Sequence, residues 1–232
     1  MQSKQIPLAI SFNDKSKFDN FLVGNNQELV NVLRDTTQTK QTSLLYIYAA
    51  KGSGKSHLLF SVINLAEHLQ VEAIYLDLSN TEISPEMLNE LDSAFIICLD
   101  NVHTWSGDDE KEKALFTLIE QVKHNAGSLI ISSEQPPEKS HFVLKDLVSR
   151  LNSGLIYALR HLSVDQIGEA IKSRALDRGI KISDSVIKFL LNHSSRDIND
   201  LFLFLDKVDK ASLREKRKIT IPFLQTLLTE DD

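Results

Sequence analysis

A single cysteine, Cys98, in 232 residues leaves no partner for an internal disulfide. It lies in the apolar run Phe95-Ile96-Ile97-Cys98-Leu99 and reads as a small core residue, not a zinc ligand. No apolar run approaches the roughly 20 residues that a membrane-spanning helix needs. The N-terminus lacks the apolar core of a secretion signal. Together these point to a cytoplasmic protein. Basic excess is also missing: 26 Lys and Arg stand against 32 Asp and Glu, a formal net charge of −6. That balance does not suit a chain living mainly on nucleic-acid phosphates, which carries a basic face. There is no internal repeat, no low-complexity tract and no flexible linker. With only eight glycines in the chain, the close pair Gly52 and Gly54 stands out.

That pair sits in the stretch around which the chain is organised. Leu44-Leu45-Tyr46-Ile47-Tyr48 reads as a buried strand, and His57-Leu58-Leu59-Phe60 opens an amphipathic helix. Between them, Ala49-Ala50-Lys51-Gly52-Ser53-Gly54-Lys55-Ser56 matches a phosphate-binding loop at every position but the first, where Ala49 replaces Gly. Glycines without Cβ let the backbone curl and approach a phosphate closely. The loop N–H groups and the positive helix end then face the anion. Lys55 is placed to reach the β- and γ-phosphates, and the Ser56 hydroxyl to ligate Mg²⁺. A Gly-Ser turn before a helix is the plain alternative.

Other segments fall into order around this one. Gln5-Ile6-Pro7-Leu8-Ala9-Ile10 reads as extended, since Pro7 biases Ile6 away from helix. By itself it suits a frayed terminus or an edge strand as well as a peptide docking on another protein. Phe18, Phe21 and Val23, before Gly24, are either core or the wall of an adenine pocket. Asn25 and Asn26 are plausible caps for a helix through Leu33. Strands are expected at Ala73–Asp77, from Ala94 to Leu99, at Ser128–Ser133 and at Leu155–Leu159, with helices between them. Strand and helix in alternation predict a parallel sheet covered on both faces. Asp100, closing a buried strand, is positioned to hold Mg²⁺ directly or through water, opposite Ser56. Motor ATPases carry a second acid next; here it is Asn101, an amide that cannot take a proton. Ser132 and Ser133 end another strand, where a hydroxyl can sense a γ-phosphate. Leu144 to Asn152 reads as a short helix with Gly154 as its C-cap. From about His161 the pattern is helical only. Leu162, Ile167, Ala170, Ile171, Ala175 and Leu176 form one stripe; Ser183 to Leu191, Arg196 to Leu213 and a segment from Thr220 make three more helices.

In this order the residues resemble the AAA+ ATPases, specifically the DnaA branch. The matches are Phe18-Asp19-Asn20-Phe21 with Gly24, the loop through Leu58, Asp100-Asn101, Gln135-Pro136-Pro137, and Ser149-Arg150-Leu151 before Gly154. The closing segments Leu205 to Ser212 and Arg217 to Phe223 are closest to regulatory members of the branch. The resemblance implies an N-terminal clamp-binding segment at 1–15, a P-loop α/β domain at 16–160 with a five-stranded parallel sheet, and a helical lid at 161–232. It implies nucleotide binding, ADP or ATP with Mg²⁺, by residues 49–57, Phe21, Val23, Asp100, Asn101 and Ser133. Gln5, Ile6, Leu8 and Ile10 look like a motif for the DNA polymerase sliding clamp, with DNA met only through the clamp. Arg150 matches the family's arginine finger, which acts in trans on a partner's ATP. DnaA itself continues into a basic helix-turn-helix domain. The implied function is therefore regulatory: with the DNA-loaded clamp, the chain would stimulate ATP hydrolysis by the initiator DnaA and so repress re-initiation. Its own hydrolysis would be weak or absent, and a homo-oligomer is possible. Asn199 stands where the family has its second sensor Arg, with Arg196 one turn earlier. The alternative is an ATP-hydrolysing motor such as a helicase loader.

Overall fold

The computed structural model describes residues 16–39, 41–91, 95–177, 182–193, 198–215 and 219–229. The chain folds as two compact units, divided between Arg160 and His161. The first contains a five-stranded parallel sheet: β1 (Ser43–Tyr48), β2 (Ala73–Asp77), β3 (Ile96–Asp100), β4 (Ser128–Ser133) and β5 (Leu155–Ala158). The strand order is β2-β3-β4-β1-β5. β3 and β4 are buried at every residue, as parallel strands under helices on both faces must be.

Alternation along the strands sorts the core into two layers. Tyr46, Ile97, Leu99, Leu129 and Ile131 pack on α4 (Asp109–His124) and α5 (Lys145–Asn152), with Trp105 and Leu88 beneath. Leu45, Ile47, Ile96, Cys98 and Ile130 face α1 (Gln27–Thr39) and α2 (Lys55–His68). Burial pushes the Cys98 thiol well above its usual range, in keeping with an inert core residue. A short α3 (Pro85–Leu88) follows β2.

Two details set where elements begin and end. Glu112 on α4 is fully buried, and its carboxylate accepts from Gly107 N at 2.7 Å, Val143 N at 3.0 Å and Leu144 N at 2.7 Å. α5 has no side-chain cap of its own, so a carboxylate from another helix satisfies the N–H groups at its entry. Gly154 is not the left-handed cap that the sequence suggests. A Cβ there would lie 2.5 Å from Leu44 O, so glycine is needed for the backbone to pass β1. Asn26 likewise does more than begin α1. Its amide donates to Val23 O and Arg160 O and accepts from Arg160 N at 2.7 Å, fastening the segment after β5.

The second unit is helical in its described residues: α6 (Val164–Asp177), α7 (Asp184–His193), α8 (Ile198–Glu215) and α9 (Ile221–Thr229). Ile171, Ala175, Ile187, Leu190, Leu201, Leu205, Val208 and Leu224 form its core. Leu176, expected on the buried stripe, is 61% exposed. Pro222 falls in the first turn of α9, where its missing N–H costs nothing. Among the described residues no helix is long and apolar enough to cross a membrane.

Candidate functional site

The loop between β1 and α2 lies at the carboxyl end of the sheet. Gly52 and Gly54 have φ of 76° and 96°, values an L side chain rarely adopts, so the turn depends on glycine. The loop is tied to β4 by Ala49 N donating to Ser133 O at 3.2 Å. Ala50 and Lys51 continue the turn, with Lys51 exposed. Phe21 lies against Gly54 and meets the His57 ring at 5.4 Å between centroids. Val23 packs partly buried on the same core layer. Burial holds the His57 imidazole below its ordinary pKa, partly offset by its contact with Lys17 O.

Lys55 is buried and turns back into the loop, donating to Ala49 O at 2.7 Å and Ala50 O at 3.1 Å. Burial lowers its pKa, and the charges of Asp100 and Glu134 oppose that shift. Ser53 Oγ is buried with no hydrogen-bond partner. A left-handed glycine turn, a desolvated ammonium and an orphaned hydroxyl make a cradle that a phosphate fits. The Ser56 hydroxyl donates to Asp100 Oδ2 at 2.5 Å, bringing together the two expected Mg²⁺ residues. Among the described residues no group of three or more His, Cys, Asp or Glu is placed to hold a metal. A cation between Ser56 and Asp100 would need phosphate and water for its other ligands, which suits Mg²⁺.

Asn101 has left-handed backbone (φ 59°), and its amide donates to Asp77 Oδ1 at 2.9 Å. It is thus occupied by β2. Ser133 does not face the site as the sequence suggests. Its hydroxyl lies 3.4 Å from Ser140 Oγ, on the sheet face away from Asp100. Ser132 is the residue whose hydroxyl donates to Asp100 Oδ1. The reason is strand alternation: one step in register changes the face.

Three further groups join the site. Tyr75 Oη donates to Asp100 Oδ2 at 2.8 Å, while His103 Nε2 lies 3.8 Å from Glu134 Oε1. Burial lowers the His103 pKa despite the pull of Glu134. Tyr75 sits on the Asp100 side of β2, an alternation signal visible only once β2 is known to pair with β3.

Arg150 is elsewhere. It borders a cleft of about 410 Å³ lined also by Ser43, Leu44, Gly127, Gly154 and Leu155, at the amino end of the sheet. A six-residue strand spans about 20 Å, so the phosphate loop lies roughly that far off. Its Nε is 2.8 Å from Glu120 Oε1, and both side chains are about 40% exposed (41% and 39%). Gln5, Ile6, Leu8, Ile10 and Arg196 lie outside the described residues; Asn199 is in α8.

The family model for the bacterial DnaA ATPase domain matches residues 12–158, and that for the Hda lid domain matches residues 165–228. An uncharacterized protein of Haemophilus influenzae is 37% identical over 228 residues, covering 97% of this chain and 99% of its own. Domain III of Thermotoga maritima DnaA superposes with a TM-score of 0.78 at 19% identity, covering 95% of this chain and 98% of that one. AMPPCP-bound DnaA from Aquifex aeolicus gives 0.74 at 22% identity, over 86% and 67%. The expected α/β architecture with a helical lid is therefore the DnaA one, and the chain belongs to the DnaA-related AAA+ ATPases, with a lid domain of the Hda type.

Proposed function

We propose that this chain is a nucleotide-bound regulator of replication initiation, of the Hda kind. It acts in the cytoplasm. It holds ADP, or ATP, with Mg²⁺ in the loop of residues 49–57. Docked through residues 5–10 on a sliding clamp loaded on DNA, it stimulates ATP hydrolysis by the initiator DnaA. Re-initiation of chromosomal replication is thereby repressed.

The observation that carries this reading is the separation of two functions across the sheet. A phosphate cradle lies at the carboxyl end, while Arg150 lies at the other end, out of reach of the chain's own loop. A cation there can serve only a phosphate brought by another molecule. Bound beside a transferring phosphoryl group, a guanidinium stabilises the spreading negative charge through its planar fork. Glu120 meets the guanidinium at Nε. At the chain's own loop the residue beside Asp100 is an amide already bonded to Asp77, so no carboxylate stands there to orient water. Lys55 and Ser56 supply binding, and Asn101 supplies no base.

The experiment has two parts. ADP should bind the purified chain, and its own phosphate release should stay well below the roughly 1 s⁻¹ of a working ATPase. ATP pre-bound to DnaA should then be hydrolysed faster when the chain and clamp-loaded DNA are both added. Motor-like turnover stimulated by DNA would favour the helicase-loader alternative. No effect on DnaA would defeat the regulatory reading.

A further inference from the structure

His57 is the third residue of α2 and directly follows Lys55 and Ser56 of the phosphate loop. Its Nε2 lies 3.1 Å from Lys17 O and 3.1 Å from Asn20 Oδ1. Lys17 O is a carbonyl oxygen and can only accept. Asn20 Oδ1 is an acceptor too, since it takes the Lys17 N–H at 2.9 Å. Nε2 therefore carries the hydrogen and donates to both. These acceptors flank the 3₁₀ turn Phe18–Asn20, and Phe21 comes next. The imidazole thus fastens the first turn of α2 to the segment that ends in Phe21.

Phe21 is the ring set beside the loop. A Cβ built on Gly54 would lie 3.1 Å from its Cε2, and its ring meets that of His57 with planes at 54°. The same segment is also tied to α1. Arg34 pairs with Asp19 at 3.0 Å and lies over the Phe18 ring at 4.9 Å. That ion pair is open to water, with Asp19 87% exposed, and contributes little. The tie through His57 starts from the phosphate loop's own helix.

We propose that His57 is a positioning residue for the base of the bound nucleotide: it holds Phe21 beside the loop, and Phe21 offers the base an aromatic face. The inference rests on the reading that the loop binds nucleotide. Phosphates are served by the loop N–H groups and Lys55. A flat base gains its contact from a ring such as Phe21. Loss of the His57 hydrogen bonds is therefore felt by the nucleoside and not by the phosphates.

The test compares ADP with pyrophosphate, which carries two phosphates and no nucleoside. Both affinities are measured for the full chain by equilibrium titration in Mg²⁺. His57→Ala should weaken ADP about tenfold, the scale of the hydrogen bonds removed, and leave pyrophosphate unchanged. His57→Gln places an amide nitrogen about where Nε2 stands and should recover most of the ADP affinity. His57→Asn is one methylene shorter and should not. Phe21→Leu should show the same pattern as His57→Ala, and the double variant should lose less than the two losses combined. Equal losses for ADP and pyrophosphate would mean that His57 supports the loop or the fold as a whole, which overturns the proposal. Undiminished ADP affinity in His57→Ala or in Phe21→Leu overturns it too. If His57→Ala does not fold, the Gln and Asn variants decide by the same comparison. A wild type that binds neither ligand defeats the nucleotide reading. One that binds pyrophosphate as tightly as ADP leaves the phosphate loop standing and defeats this inference alone.

Discussion

The two ends of the sheet are built on opposite principles. At the carboxyl end the polar groups are buried and mutually bonded. Asp100 is held by Ser56, Tyr75, Ser132 and Asn101, and Lys55 is folded onto two carbonyls. At the amino end Arg150 has an ion pair with Glu120, and both side chains are only half-buried, although the Glu120 oxygen in the pair is itself covered. A buried polar network costs stability if any member is lost, so it fixes geometry tightly. An exposed pair contributes little and can be exchanged for a new partner at little cost. A site for the chain's own ligand calls for the first design, and a group that must meet a second molecule calls for the other.

Substitutions can break this contrast, and the largest effect is expected at Arg150. Arg150→Ala should keep ADP affinity while DnaA stimulation falls by about 10³-fold or more, the scale of arginine fingers in GTPase systems. Stimulation at the wild-type rate would mean that Arg150 is only a cation in the last turn of α5, favourable to the helix dipole. Next comes Lys55→Ala, which should weaken ADP binding by about 100-fold, the worth of one strong charge-assisted contact. Undiminished binding in the same titration would mean that the loop is not the nucleotide site. Ser132→Ala removes one donor to the buried Asp100 and should lower unfolding free energy by about 2 kcal/mol in urea. Glu120→Gln tests the exposed end. Its stability change should stay within about 1 kcal/mol. A loss equal to that of Ser132→Ala would erase the distinction between the ends.

How much of this is legible from sequence follows the distance over which each feature is decided. The phosphate loop and its flanks are contiguous, so Ala49 to His57 can be read directly. Asp100 is visible because a buried strand ends there. Ser132 and Ser133 are neighbours with opposite fates, and only the register of β4 against β1 and β3 decides between them. Tyr75 reads as strand filler until β2 is seen beside β3. Gly154 reads as a helix stop, but its cause is Leu44, far back in the chain. Glu120 meets Arg150 only through the packing of α4 on α5. In the helical unit the apolar stripes mark the helices, while Leu176 shows that a stripe read from one helix overstates what its neighbours cover.

Glu112 gives α5 a mechanical property. The chain is pinned just before the first turn, at Val143 and the cap Leu144, by a carboxylate from α4, and Arg150 rides near the opposite tip. Eight residues make a rod of about 12 Å, so a tilt of about 5° at the pivot swings the guanidinium by about 1 Å. A misplacement of that size can cost about 10²-fold in rate. α5 is a cantilever held at its root by Glu112 and seated along its length by Leu147 and Leu151, so the direction in which Arg150 points is set by side chains remote from the phosphate loop.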